Sequence, residues 1–227
     1  MANNNATEQE SLGSVMNKTE LFFENNGKKL TYVLLGLIVV AALIFGYRSF
    51  IAAPRVTKAA DLIAEAQYRF EAATPDYKLA LEGDENGAGF LDVVDQYGST
   101  PSGNLAKHYA GICYLKMGDL DNAATYLAKY AAVKGIVGAI INAQNIGLQG
   151  DIAVDKADYA KAVKLFVQAS EAAENDLTAP MYLQKAGMAE QAQGNTAQAV
   201  EFYQRILDDY PSSAAAREAE KLLGITK

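Results

Sequence analysis

Hydrophobic and polar positions follow two different regimes along this chain. From Leu30 to Tyr47 the sequence reads LTYVLLGLIVVAALIFGY, 18 residues without a charge; Arg48 interrupts, and SFIAA carries the apolar stretch to Ala53. A bilayer core takes ~20 apolar residues to cross as a helix, and Leu30–Ala53 supplies 24. Arg48 lies near one end, where its side chain can reach the headgroups. Tyr32, Tyr47 and Phe50 fall where interfacial aromatics belong. Beyond Pro54 the apolar residues return at helical spacing, in blocks separated by turn residues. The pattern predicts an all-α chain: a single N-terminal transmembrane helix over residues 28–53, followed by a helical domain over residues 54–227. Residues 1–27 are polar and Asn-rich and read as a disordered tail that includes a short helix around Val15–Phe23.

Composition agrees with helices and narrows the partners. Ala and Leu dominate and Trp is absent. The five prolines, at 54, 75, 101, 180 and 211, lie between the periodic blocks and read as punctuation. Net charge is -7 for the whole chain. Residues 1–54 balance four basic against four acidic side chains, so the excess belongs to residues 55–227, with 16 basic and 23 acidic. With no Lys/Arg cluster, that domain lacks the footprint phosphate contacts need, and nucleic acid is excluded as a partner class. Lys18, Lys28 and Lys29 before the apolar run face Arg48, Arg55 and Lys58 after it, so charge does not orient the span.

Three stretches beyond the span resemble one another: 105–130, 147–169 and 181–206. Each has a helix-like segment, a turn (MGDLDNA, KADYAKA, QGNTAQA) and a second helix. Ala123, Ala162 and Ala199 lie 39 and 37 residues apart, each followed four residues later by Leu127, Phe166 or Tyr203. Small side chains let paired helices approach, and the large residue one turn on fills the groove beside them. A turn Asp or Asn can cap the second helix. This spacing resembles the tetratricopeptide repeat, whose period is ~34 residues. Gly111, Tyr114 and Ala123 match its packing positions in the first full copy, Gly150, Ala162, Phe166 and Ala169 in the next, and Gly187, Ala199, Tyr203 and Pro211 in the last. The repeats are expected near 56–103, 104–140, 143–178 and 180–213. The first is degenerate, with Thr74–Asn86 as a stretched loop, and a capping helix follows at 214–223. The fold expected is an α-α superhelix, or solenoid.

Few residues carry chemistry. His108 is the single histidine and Cys113 the single cysteine, so neither a zinc cluster nor an internal disulfide can form. Cys113 reads as a small buried hydrophobe. Asp119 with Asp121, and Asp151 with Asp155, read as solvated or capping carboxylates. Gly83–Asn86 lacks the ligand spacing of a calcium loop. No phosphate-binding glycine motif occurs. No catalytic residue, metal or cofactor is expected, and the chain is not read as an enzyme.

What the resemblance does imply is a peptide-binding groove lined by the first helix of each repeat. Carried onto this sequence, that register points to Leu105, His108, Ile112 and Lys116 in one copy, Asp151 and Asp155 in the next, and Gln184, Met188 and Gln191 in the last. The layout of tail, span and repeats is similar to the ancillary SecYEG translocon subunit family of diderm bacteria, and also resembles membrane-anchored repeat proteins of Bacteroidota. GNLAKHYAGICYLKMGD and FYQRILDDYPSSAAA carry that likeness. It implies a single-pass protein of the bacterial inner membrane with periplasmic repeats. The implied role is a scaffold or chaperone-like adaptor whose partners are translocon subunits or exported polypeptides. A factor in assembling outer-membrane complexes is the alternative.

Overall fold

The computed structural model describes residues 3–226, with side chains described at Glu20 and from Phe22 to Gly224. It divides into two units, one up to Arg55 and one from Val56 onward. The first unit holds α1 (Asn3–Tyr47) and a π-helical turn, Arg48–Ala52. In the turn the Ala53 N–H bonds the carbonyl of Arg48, five residues back. Pro54 follows at once; it has no N–H, and its ring crowds the carbonyl four residues earlier, so a widened turn relieves the helix just before it. The apolar window, with mean hydropathy 2.4, is the one candidate membrane crossing among the described residues, and none of it is buried. Over residues 3–27 the stretch read as a tail runs as helix, continuous with the apolar stretch in α1. No proline interrupts this stretch, and its Glu, Leu and Met residues are good helix formers.

The second unit is an α-α solenoid. It comprises α2 (Ala53–Phe70, from Val56 onward), α3 (Tyr77–Glu82), the strands β1 (Gly83–Asp84) and β2 (Gly87–Ala88), and α4 (Phe90–Tyr97). There follow α5 (Pro101–Lys116), α6 (Leu120–Ala128), α7 (Ile136–Asp155), α8 (Tyr159–Ala172), α9 (Thr178–Ala192), α10 (Thr196–Asp209) and α11 (Ala214–Thr226). Helices α5 with α6, α7 with α8 and α9 with α10 form the repeat pairs; α8 also packs on α9, and α11 covers α10. One cluster around Phe90, Ile63 and Leu81 joins α2 through α5. Another around Phe166 and Tyr182 joins α7 through α9, and a third around Tyr203, Ile206 and Leu223 reaches α11.

The same contact recurs in each full repeat. A Cβ built on Gly111 would lie 2.6 Å from the Leu127 side chain, and one on Gly150 would lie 2.6 Å from the Phe166 ring. Gly187 faces the Tyr203 ring in the same way. Ala123, Ala162 and Ala199 are completely buried. The turns repeat as well: the N–H groups of Asp119, Asp158 and Asn195 bond the carbonyls of Tyr114, Ala153 and Glu190 at 2.8–2.9 Å. Asp119 caps α6 through the Asn122 N–H at 3.0 Å, and Asp158 caps α8 through the Lys161 N–H at 3.2 Å. Asn195 does not cap with its side chain; it donates instead to Glu190 at 2.7 Å. Pro211 does not pack: it is exposed in the turn that follows α10 and acts as a helix stop.

Two expectations change. The stretch 74–86 is not one loop, because α3 and a tight antiparallel hairpin fill it. Asp76 caps α3 through the Leu79 N–H at 2.9 Å, and Ala80 and Leu81 bury into the core. Asp84 holds the hairpin: it accepts from the Asn86 N–H at 3.0 Å and from Arg69 at 2.8 Å. The second correction concerns α7, which starts at Ile136, within the expected preceding repeat and seven residues before position 143.

Candidate binding surface of the repeat helices

The groove expected along the first helices is only partly open. His108 and Ile112 are buried, 2% and 8% exposed. Helix α7 covers His108, whose Nε2 lies 3.2 Å from Gln144 Oε1 and whose Nδ1 lies 3.1 Å from Asn145 Nδ2. Asn145 Nδ2 is a donor, so Nδ1 accepts and Nε2–H donates to Gln144, which defines a neutral ring. Burial pushes the His108 pKa below its ordinary value, and the Gln144 hydrogen bond opposes the shift only in part. Gln149 extends the chain by donating to Asn145 Oδ1 at 2.9 Å. This His is therefore a buried polar joint between two repeats.

Asp151 and Met188 come together in an open groove of about 420 Å³, with Val154, Tyr159, Phe166 and Lys185. Lys185 Nζ meets both Asp151 oxygens, at 2.7 and 2.8 Å, and lies 5.5 Å from the Phe166 ring centroid. Both partners are about one-third exposed, so water screens the pair and it contributes little to stability. Its value is chemical: a donor and an acceptor sit side by side at the rim of an apolar slot. Met188 is 51% exposed, a flexible thioether that adapts to different side chains. The Tyr182 hydroxyl, pushed up to about 12 by burial and by the charge of Asp151, stays protonated.

The other expected positions are dispersed. Lys116 and Asp155 are exposed, and Gln184 and Gln191 are half-buried. Gln191 accepts from the Tyr203 hydroxyl at 2.8 Å. Leu105 lines a different groove, of about 460 Å³, between the start of α5 and the start of α7. Sequence reasoning missed Lys185 in the first groove and Ile136, Val137 and Ile141 in the second. The signal for the latter was present: IVGAII is an apolar run opening a surface helix. Cys113 is fully buried beside the α5 core, with its thiol pushed up to about 12, so it stays an inert thiol. No cluster of His, Cys, Asp and Glu able to hold a metal occurs among the described residues.

Two segments of the chain, residues 106–132 and 182–213, match the family model described as tetratricopeptide repeat. They span most of α5–α6 and α9–α10, and α7–α8 between them repeats the same packing of a glycine against a large side chain. No curated protein matches the chain.

Proposed function

We propose that this chain is a membrane-anchored adaptor that receives segments of other proteins in the groove between α7 and α9. Tetratricopeptide repeats generally bind other proteins, and the helix ending near Arg48 is long and apolar enough to cross a membrane. The observation that carries the reading is the groove itself. Asp151 and Lys185 present opposite charges within 2.7 Å of each other, beside exposed Met188 and the Phe166 ring. An extended peptide can exchange its own polar groups with that pair while one side chain enters the slot.

The likeness to ancillary translocon subunits carries the proposal further. The anchor lies in the bacterial inner membrane, the repeats face the periplasm, and the partners are translocon subunits or exported polypeptides. Replacing Met188 with p-benzoylphenylalanine in the full chain, in native membranes, tests this. Adducts to channel subunits or to chains in transit are expected. Adducts confined to outer-membrane assembly components would move the role to envelope assembly, and absence of any protein adduct would defeat docking in this groove. Protease added outside spheroplasts should digest the repeats; full protection would reverse the orientation.

A further inference from the structure

The groove at the start of α7 differs in chemistry from the one between α7 and α9. Its wall carries Ile136 and Val137, 85% and 72% exposed, with Val133 and Ile140 at 48% and 50% beside them. In a water-facing repeat domain such a ridge is costly, and aliphatic patches of this kind mark contact sites. It is also built to hold its shape. Asn104 clamps the preceding loop from α5, donating to the Ala131 carbonyl at 2.7 Å and accepting from its N–H at 2.8 Å. Asn142 clamps it from α7, bonding the N–H and carbonyl of Val133 at 3.0 and 2.9 Å and accepting from the Tyr130 hydroxyl at 2.9 Å. A Cβ at Gly138 would strike the Val133 carbonyl, so only glycine lets the loop close onto α7. Two side-chain clamps on one short loop hold the apolar surface in a fixed form before anything binds, which lowers the ordering cost of binding.

Charge narrows the occupant. Lys134 is the sole charged side chain lining this groove, and it makes no ion pair among the described residues. From Asn122 to Gly150 the sequence has two lysines and no Asp or Glu, within a domain that is otherwise acidic. An anionic lipid surface would meet Lys134 well, but it would also meet exposed Glu174 and Asp176 just before α9, at the neighbouring repeat's corresponding end. A fluid leaflet also has no use for a cavity of about 460 Å³ beside the ridge. The exposed aliphatic area is on the order of a few hundred Å², below the ~800 Å² per partner of a standard stable interface, which argues against a lasting pair of copies.

We infer that this groove is a second docking surface, and that it takes a short amphipathic segment of another protein, with an apolar row flanked by carboxylates. The inference rests on the adaptor reading only in taking the occupant to be protein. Val137 replaced with p-benzoylphenylalanine in the full chain, in native membranes, tests it, with the probe at Met188 run in parallel. Adducts at 137 should map to segments bearing an apolar row with Asp or Glu beside it. Lys134→Glu should cut their yield several-fold, and Lys134→Arg should restore it. Circular dichroism checks that each variant stays helical. Adducts to lipid, to a second copy of the chain or to segments without carboxylates would overturn the inference, as would no adduct at all. Adducts at 188 without any at 137 sink this site and leave the adaptor reading standing; the reverse pattern sinks the first groove alone.

Discussion

Ala157 occupies a turn position at which its two counterparts are glycines. Gly118, Ala157 and Gly194 each lie seven residues after a packing glycine, and their φ angles are 81°, 57° and 84°. Ala157 is the one non-glycine residue with positive φ among the described residues. An L side chain there costs roughly 1–2 kcal/mol, part of which glycine returns as entropy in the unfolded chain. Ala157→Gly should therefore stabilise the repeat domain by about 0.5–1 kcal/mol, raising its Tm by roughly 1–4 °C. Denaturant melts should show a higher midpoint with unchanged slope; a lower midpoint would mean the turn is not strained. His108 teaches the opposite lesson at this scale. A lone histidine in a groove register looks like a ligand contact, yet Gln144 and Asn145, 36 and 37 residues away, enclose it. No local pattern announces that pairing.

Helices in this domain are matched by size, glycine against a large apolar side chain. Gly150 meets Phe166 and Gly111 meets Leu127 at distances that leave no room for a methyl group. Gly150→Ala should cost roughly 1–3 kcal/mol by overpacking α7 against α8, even though alanine favours a helix. Gly224→Ala, with nothing within 4 Å, is the control and should not destabilise. Thermal melts of the two variants decide it: equal Tm values would show that α7 and α8 slide apart freely. The repeat elements were legible because this packing imposes a spacing that the sequence displays. The short helix inside the degenerate first repeat was not. Helix α3 is six residues long, too short for periodicity to stand out, and it is held by the Asp76 cap and by burial of Leu81. The early start of α7 was signalled by the apolar run IVGAII but ran against the rule that apolar faces turn inward, because Ile136, Val137 and Ile140 face solvent.

At the scale of the molecule, two units carry two physical tasks. The apolar window has no buried residue to stabilise it in water, and it is long and apolar enough to take lipid as its solvent. Placing charges at its centre, as in Ile38→Asp with Val39→Asp, should cost ~2.5–3.5 kcal/mol each on insertion. Carbonate should then extract the variant from membranes while leaving the parent chain in the pellet; a parent chain that also washes off would remove the anchor. What the sequence by itself determined is this division, the all-α class and the repeat register. Each follows from short-range rules: a helix satisfies its own backbone in lipid, and a packing contact repeated along the chain leaves a period. Which groove positions stay open was decided by tertiary structure alone. Burial of His108 and Ile112, the meeting of Asp151 with Lys185 and the clamping of one loop by Asn104 and Asn142 join residues up to 37 apart. Their geometry depends on where each helix starts and how neighbouring repeats stack, and no local pattern records that.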